Sequence, residues 1–452
     1  MSTGAEVARL FARDASLWTN SGEDEWLGWI DAVDEALRSL PSLKLWAAPL
    51  GARHERVVLC GMGGSSLAPL VVGALFGSDR LHVLDSTDPD AVRAVPVEGS
   101  LFVIASKSGS TIEPNCFADA FWAKTGGDGS RFVAITDPGS ALEERARKDG
   151  WARIAHGRPD VGGRYSALTA FGLVPAVLAG IDIELMLERA VDTLAKCRDE
   201  LGVNPGQTLA HVIGNAHAKG RDKLTFVTPP ALASVGLWLE QLIAESTGKR
   251  GKGLVPAPGE SSDGPDRQAA EPQIADPYAL GGEFFRWEFA VAVAGAFLEI
   301  NPFDQPDVQA AKDKTNEVLA TGKEPAVEPE GSIDELLAQA QERDYVCVQA
   351  FIEPSEENDH RIDDLVRNLR RRSGLVVTHG YGPRYLHSTG QLHKGGPNTG
   401  LFLQVVDDPG DELKIPGRPF GFRRLIRAQA AGDYASLKER GRRVARVHLD
   451  EI

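Results

Sequence analysis

The sequence has little of what marks secreted, membrane and metal-binding proteins. Its 452 residues include only four cysteines, and these are widely separated: Cys60, Cys116, Cys197 and Cys347. With no C-x-x-C pair and no zinc-site spacing, they are expected to be free, buried thiols in a reducing compartment. No apolar run approaches the roughly 20 residues that cross a bilayer. The N-terminus also lacks an apolar signal core. The sequence therefore predicts a cytoplasmic protein with no membrane partner.

Basic residues are in the minority. The chain has 49 Lys and Arg against 64 Asp and Glu, a formal net charge of −15. Such a charge argues against nucleic acid and against an anionic membrane surface as partners. An anionic ligand would be repelled by the net negative charge of the chain. It would therefore need a local cluster of hydrogen-bond donors.

Two turns rich in glycine and serine follow apolar stretches in the first third of the chain. They read Gly61-Met62-Gly63-Gly64-Ser65-Ser66 and Ser106-Lys107-Ser108-Gly109-Ser110-Thr111. Glycines let a backbone approach an anion, hydroxyls donate hydrogen bonds, and free N–H groups at a helix start favour negative charge. Neither turn has the G-x-x-x-x-G-K-[ST] spacing that holds a nucleoside triphosphate. Together they predict a small phosphorylated ligand, such as a sugar phosphate.

The two turns differ in how specific they are. A turn like 61–66 also serves dinucleotides, with an acidic residue after the second strand, and Asp85 is the best candidate for that residue. A nicotinamide-dependent enzyme therefore stays open. The turn 106–111 is more informative, because its four hydroxyls and Lys107 offer several convergent donors to a phosphate.

Apolar strands and helical patterns alternate along most of the chain. Residues 1–50 are expected to be helical. Strands are expected at 56–60, 81–84, 101–105, 132–136, 223–227, 345–351, 374–378 and 401–406. Buried helices are expected at 167–178 and 283–300, and an amphipathic helix is expected at 234–246. The alternation predicts the α/β class with parallel sheets.

Four further segments carry candidate chemistry. Arg164 follows two glycines, which would let its guanidinium enter a cleft and stabilise negative oxygen. Glu245, at the end of an amphipathic helix, is a candidate proton carrier. The segment 301–312 places polar groups after a buried helix. His387 and His393 lack the i, i+3 or i, i+4 spacing of a shared helix face, so acid–base work suits them better than a metal.

In order and detail these motifs resemble the glucose-6-phosphate isomerase family, over about residues 55–405. The matching segments are Gly61–Ser65, Ser106–Glu113, Gly162–Ser166, Glu245–Lys249 and Phe303–Lys312. The chain is most similar to the isomerase half of bacterial transaldolase fusions, and the transaldolase part is expected to be absent. The resemblance implies two doubly wound parallel-sheet domains of the sugar isomerase (SIS) type. We expect an N-terminal helical cap at 1–50, a phosphate-binding SIS domain at 51–205, and a second SIS domain at 206–452 with reordered C-terminal strands and helix.

The resemblance also implies roles for individual residues. Those expected to bind the substrate and its phosphate are Gly64, Ser65, Ser106, the Lys107 backbone, Ser108, Thr111, Glu113 and Gln305. Those expected to be catalytic are Glu245 as the base, Arg164 beside the enediolate, Lys312, and a histidine. No metal and no cofactor are implied.

The order of the motifs departs from the family at the ring-opening histidine. In the family this residue lies between the glutamate and lysine motifs and comes from the partner subunit of a dimer. Here no histidine lies between Glu245 and Lys312. His387 is the first choice, because Gln391, Leu392 and His393 follow it much as in the family, and His393 is the second.

The expected function is the reversible isomerisation of glucose 6-phosphate and fructose 6-phosphate through a cis-enediolate, in a homodimer with shared active sites. Two alternatives remain besides the nicotinamide enzyme. The same enediolate would also lead to mannose 6-phosphate. A SIS-type sugar-phosphate sensor would need the phosphate turns but neither Glu245 nor Lys312.

Overall fold

The computed structural model describes residues 4–452, apart from the side chains of residues 308–312. The α-helices are Ala5–Phe11, Trp29–Gly51, Leu67–Leu75, Pro89–Ala94, Ile112–Lys124, Ala141–Lys148, Ala170–Leu178, Glu184–Arg198, Pro205–Ala218, Ala233–Thr247, Ala279–Phe297, Val308–Ala320, Ile333–Leu337, Glu356–Ser373, Gly390–Gly395 and Phe422–Glu439. None of the helices in the described part is long and apolar enough to cross a membrane.

The first sheet has five parallel strands. Their spatial order is Leu81–Leu84, Arg56–Gly61, Ser100–Ala105, Phe132–Thr136 and Arg153–His156. This is the 2-1-3-4-5 order of a doubly wound sheet. The strand order reverses between the first and third strands, because the second strand is added on one side of the first and the later strands on the other. The central strands are buried along nearly their whole length, as parallel strands covered on both faces by helices must be.

The second half of the chain forms two smaller parallel sheets. One has four strands, in the order Val376–Tyr381, Tyr345–Phe351, Gly400–Val406 and Arg443–His448. The other has three, in the order Val255–Pro258, Lys223–Phe226 and Arg267–Ala269. The α/β class with parallel sheets and N-terminal helices is confirmed. The domain boundaries at 50 and 205 stay predictions.

The largest core surrounds helix Ala279–Phe297, whose residues 280–295 are all buried. The predicted helix 283–300 lies only a few residues from the observed one, because apolar residues dominate every face of this segment and leave no solvent face. Its buried Arg286 is neutralised by Glu283 one turn earlier, with Nε–Oε1 and Nη2–Oε2 distances of 2.6 and 2.7 Å.

The C-terminal helix Phe422–Glu439 packs against the first sheet domain. Phe422 stacks on Phe117 with ring centroids 5.8 Å apart, and it shares a core with strand residues Val58 and Phe102. The guanidinium of Arg384 donates hydrogen bonds of 2.8 and 2.7 Å to the buried carboxylate of Asp85. The two halves of the chain are therefore joined by both apolar and charged contacts.

Candidate active site

Both glycine- and serine-rich turns leave the same edge of the first sheet. Gly61 at the end of one strand is paired in register with Ala105 at the end of its neighbour. These are the two strands that flank the topological switch point, where helices depart to opposite faces and leave a crevice at the carboxyl ends. The turns 61–66 and 106–111 therefore face one crevice.

Backbone atoms of two turns touch inside this crevice. A Cβ atom on Gly64 would overlap the carbonyl oxygen of Gly163, so only glycine allows this approach. Gly63 has a φ of 55°, and a Cβ there would lie 2.5 Å from the His387 carbonyl oxygen and 2.8 Å from Gln241 Nε2. The turn 63–65 is thus packed between the turn 163–165 and the segment that carries His387. Ser65 is buried beside it.

The hydroxyl-rich turn 106–111 brings several hydrogen-bond donors together. Ser106 Oγ donates to Thr111 Oγ1 over 3.0 Å, and Ser108 Oγ lies 2.8 Å from Ser110 Oγ. The Thr111 side chain does not cap helix Ile112–Lys124, so the first N–H groups of that helix keep their positive end toward the crevice. Ser108 is exposed, so a ligand could reach it.

The Lys107 side chain does not add its charge to this turn. Its ammonium pairs with Asp137 and donates to the carbonyl oxygen of Arg158 over 2.9 Å. The expectation of a cation in the phosphate turn is therefore wrong for this side chain, because a nearby carboxylate and carbonyls hold it on the far side of the strand end. Its backbone remains part of the turn.

Arg164 is buried and donates hydrogen bonds to several acceptors. Its Nε donates to Ser246 Oγ over 2.9 Å, and its Nη2 donates to the carbonyl oxygens of Pro302 and Asp304 over 2.6 and 3.0 Å. Its Nη1 donates to Gln305 Oε1 over 3.1 Å. These bonds use most of the guanidinium's donors and fix its plane.

Glu245 lies beside that guanidinium, with Oε1 3.6 Å from Arg164 Nη1. Its Oε2 accepts a 3.0 Å hydrogen bond from Gln241 Nε2, and the same nitrogen donates to the His387 carbonyl over 3.0 Å. Gln241 and Glu245 are four residues apart on helix Ala233–Thr247, so they share one face. The amide of Gln241 thereby ties the carboxylate to the histidine segment.

Lys249 anchors the loop that carries Gln305. Its buried ammonium donates to the carbonyl oxygens of Asn301 and Asp304 over 2.8 and 2.6 Å, and to Asp304 Oδ1 over 2.6 Å. Burial, with the nearby Arg164 charge, lowers the pKa of Lys249 to about 7. Lys312, a predicted catalytic residue, lies outside the described side chains, although its backbone belongs to helix Val308–Ala320.

The His387 ring faces Glu113. Its Nε2 lies 2.9 Å from Glu113 Oε1, at the first turn of helix Ile112–Lys124. Glu113 is only 3 % exposed, so its carboxylate contacts His387 in the interior and is not open to solvent beside the turn 106–111. Both residues belong to the same chain as Glu245, so in this chain the crevice receives a histidine without a partner subunit.

His393 is placed differently. Its ring is 2 % exposed and packs against Phe402, 5.0 Å between ring centroids. Its Nδ1 lies 3.2 Å from Gln349 Nε2. Burial, with the Lys394 and Arg442 charges, holds the pKa of His393 well below its usual value. The structure therefore places this second candidate in the core of the four-stranded sheet.

A separate cleft of about 510 Å³ lies beside the turn that carries His387, and Glu240 and Arg384 are among its lining residues. Burial raises the pKa of Glu240 to about 8. Asp85, the acidic residue weighed for a ribose, is already held by Arg384. That pairing leaves the dinucleotide alternative without its acidic group.

Several residues of the crevice were not singled out from the sequence. Gln241 could have been found, because it stands one helical turn before Glu245 on an amphipathic pattern. Lys249 belongs to the matching segment Glu245–Lys249, but no sequence pattern indicated its buried contacts with the loop 301–304. The buried Gln429 donates to Glu113 Oε1 over 2.7 Å, across more than 300 residues of chain, and no local signal marks it.

The chain is similar to known proteins in both sequence and fold, although no family model matches it. It is 36% identical over 217 residues to the glucose-6-phosphate isomerase of Synechococcus sp. (strain JA-3-3Ab), covering 44% of this chain and 41% of that one. It thus spans less than half of that relative's length. It is 28% identical over 419 residues to the glucose-6-phosphate isomerase of Symbiobacterium thermophilum, covering 70% of this chain and 91% of that one.

Two solved structures share the fold. A hypothetical protein from Thermus thermophilus matches with a TM-score of 0.59 and 24% identity, over 70% of this chain and 94% of that one. A glucose-6-phosphate isomerase from Chlamydia trachomatis matches with a TM-score of 0.52 and 20% identity, over 70% and 78%. Both likenesses concern the architecture of the chain.

We predict that Gly64→Ala disrupts the crevice, because the new methyl group must push apart the turns 63–65 and 163–165. Overpacking of this kind costs about 1–3 kcal/mol. Thermal unfolding and ligand protection by inorganic phosphate would measure it. Gly163→Ala is the matched control, since its Cβ would meet open space. Equal unfolding temperatures for the two variants would contradict the prediction.

We predict that Glu240→Gln changes how stability depends on pH. Between pH 4.5 and about 8 the folded chain keeps a proton on Glu240 that the unfolded chain releases, so the free energy of unfolding falls as pH rises. Glutamine does not titrate, so the variant lacks this loss of stability. Its free energy of unfolding should rise relative to that of the wild type by up to about 1.4 kcal/mol per pH unit in this window. Denaturant unfolding from pH 5 to 9 measures the difference. The exposed Glu342→Gln is the control, and a pH-independent difference would contradict the prediction.

Proposed function

We propose, from its homology with proteins named glucose-6-phosphate isomerase, that this chain interconverts glucose 6-phosphate and fructose 6-phosphate. The observation that carries the proposal is the pairing of Glu245 with Arg164 next to the turn 63–65, which leaves the same sheet edge as the turn 106–111. A carboxylate, a guanidinium and a hydroxyl-rich anion site in one crevice suit proton transfer on a small phosphorylated sugar.

In this proposal the phosphate binds at the turn 106–111. Ser106, Ser108 and Thr111 supply hydroxyls, and the first N–H groups of helix Ile112–Lys124 supply backbone donors. Gly64 and Ser65 form the adjoining wall. Because the Lys107 charge is paired with Asp137, hydrogen bonds and the helix N-terminus carry most of the recognition.

Glu245 is the proposed base. It takes the proton from C2 of the open-chain aldose, and the electron pair of the broken C–H bond forms the C1–C2 double bond of a cis-enediolate. The carbonyl oxygen at C1 becomes the negative oxygen, which Arg164 stabilises. The O2 hydroxyl proton then passes to O1, and the proton held by Glu245 returns to C1, which leaves a hydroxyl at C1 and the ketone at C2. Gln305 and Lys312 are proposed to contact the sugar oxygens.

His387 is the proposed ring-opening residue, since it lies by the turn 63–65 while His393 lies in a core. It would give a proton to the ring oxygen as the pyranose opens. The homodimer expected from the resemblance stays a prediction. Within it, each chain would use its own His387, because Gln241 links that residue to Glu245 in the same chain.

Glu245→Gln should lower kcat by at least about 10²-fold, because the amide cannot accept the C2 proton. KM should change little, since the phosphate turn is untouched. A coupled assay on fructose 6-phosphate measures both constants. Glu240→Gln, the same change earlier on the same helix, should keep near-normal turnover. Full activity in Glu245→Gln would exclude it as the base.

His387→Asn should slow turnover of the cyclic substrates by about 10²-fold, whereas His393→Asn should lower stability and leave kcat within a few-fold. Parallel assays and thermal unfolding of both variants measure this. The reverse pattern would move the role to His393.

Mixing the chains tests where the histidine comes from. Co-expressed Glu245→Gln and His387→Asn chains should stay inactive together, because each site lacks one group. Recovery of activity in the mixture would show that a partner subunit supplies the histidine.

A further inference from the structure

The histidine that faces the crevice is held by a chain of buried hydrogen bonds. Glu113 Oε1 lies 2.9 Å from His387 Nε2 and accepts a 2.7 Å hydrogen bond from Gln429 Nε2. The amide oxygen of Gln429 accepts a 2.6 Å hydrogen bond from Thr87 Oγ1. Thr87 and Gln429 are buried and come from different ends of the sequence, a loop after the first sheet's edge strand and the C-terminal helix.

In this series of hydrogen bonds, the donor and acceptor of each bond limit the donor and acceptor of the next. The amide nitrogen of Gln429 donates to Glu113, and the Thr87 hydroxyl donates to the amide oxygen, which helps to hold the amide in that orientation. A donated N–H favours the ionised carboxylate, which has no proton to give. The ring nitrogen that faces Glu113 must then carry the hydrogen. Gln429, held by Thr87, thus favours a hydrogen on the ring nitrogen of His387 that faces Glu113.

We propose that Gln429, oriented by Thr87, is a positioning residue that fixes the Nε2–H tautomer of His387 through Glu113. The hydrogen bonds of the Gln429 side chain go to Thr87 and Glu113, so its influence on His387 passes through the carboxylate. The catalytic consequence rests on the proposed function: with Nε2–H committed to Glu113, Nδ1 is the nitrogen left to exchange a proton with the sugar. The tautomer itself does not depend on that function.

The first test reads the tautomer directly. Histidine labelled with ¹⁵N gives separate ring-nitrogen signals for protonated and unprotonated positions, and His387→Asn identifies the signals of His387. In the unliganded wild type, Nε2 should carry the hydrogen. Gln429→Met keeps the side-chain length but removes the donor, so the signals should move toward a mixture of tautomers. Thr87→Val should move them in the same direction by less.

Gln404→Met is the matched control for a buried glutamine. Gln404 Nε2 donates to the Ala430 carbonyl over 3.1 Å, and its Oε1 accepts from Arg446 over 2.6 Å, away from Glu113. This variant should lose stability and leave the His387 signals unchanged. Unchanged signals in both Gln429→Met and Thr87→Val would overturn the proposal. If Gln429→Met does not fold, Thr87→Val alone decides.

The second test uses kinetics. Gln429→Met should lower kcat by about tenfold with KM unchanged, since a misplaced catalytic group slows chemistry without weakening phosphate binding. Added to Glu113→Gln, it should cause no further loss, because its effect passes through that carboxylate. Additive losses would assign Gln429 a merely structural role. An inactive wild type with the expected tautomer would reject the proposed function and keep this inference.

Discussion

The guanidinium of Arg164 donates hydrogen bonds to two otherwise separate parts of the chain: the helix that bears Glu245 and the loop 302–305. It is 2 % exposed, so its charge is stable there only while these acceptors surround it. Lys249 holds the same loop from the other side. The crevice is therefore a single polar unit in which each group depends on its neighbours.

Much of this arrangement could be predicted from local patterns. Continuous apolar strands followed by glycine- and serine-rich turns indicated a parallel α/β sheet, and parallel strands bring their carboxyl ends to one edge. That alone places Gly61–Ser66 beside Ser106–Thr111. Helical spacing would also have been enough to predict that Gln241 lies on the same helix face as Glu245, one turn away. Short strands such as Arg267–Ala269 were missed, because three residues carry too little periodicity.

Contacts between distant segments could not be predicted. Nothing near Lys107 in the sequence says that its ammonium turns to Asp137, and nothing near Glu113 points to Gln429. Such pairs arise only once the sheet and the C-terminal helix are packed together. The resemblance ranks His387 above His393, but the burial of His393 could not be predicted, because it depends on packing against Phe402 of the four-stranded sheet.

The dependence of His387 on Gln429 has a consequence for the timing of biosynthesis. The turns 61–66 and 106–111 and Glu245 all precede helix Phe422–Glu439 in the sequence, so they leave the ribosome before it does. Until that helix packs on Phe117, the Gln429 amide has not reached Glu113 and part of the cover over that carboxylate is missing. The two turns can thus form before the hydrogen bond that is proposed to orient His387, and the crevice is complete only once helix Phe422–Glu439 has packed against the first sheet.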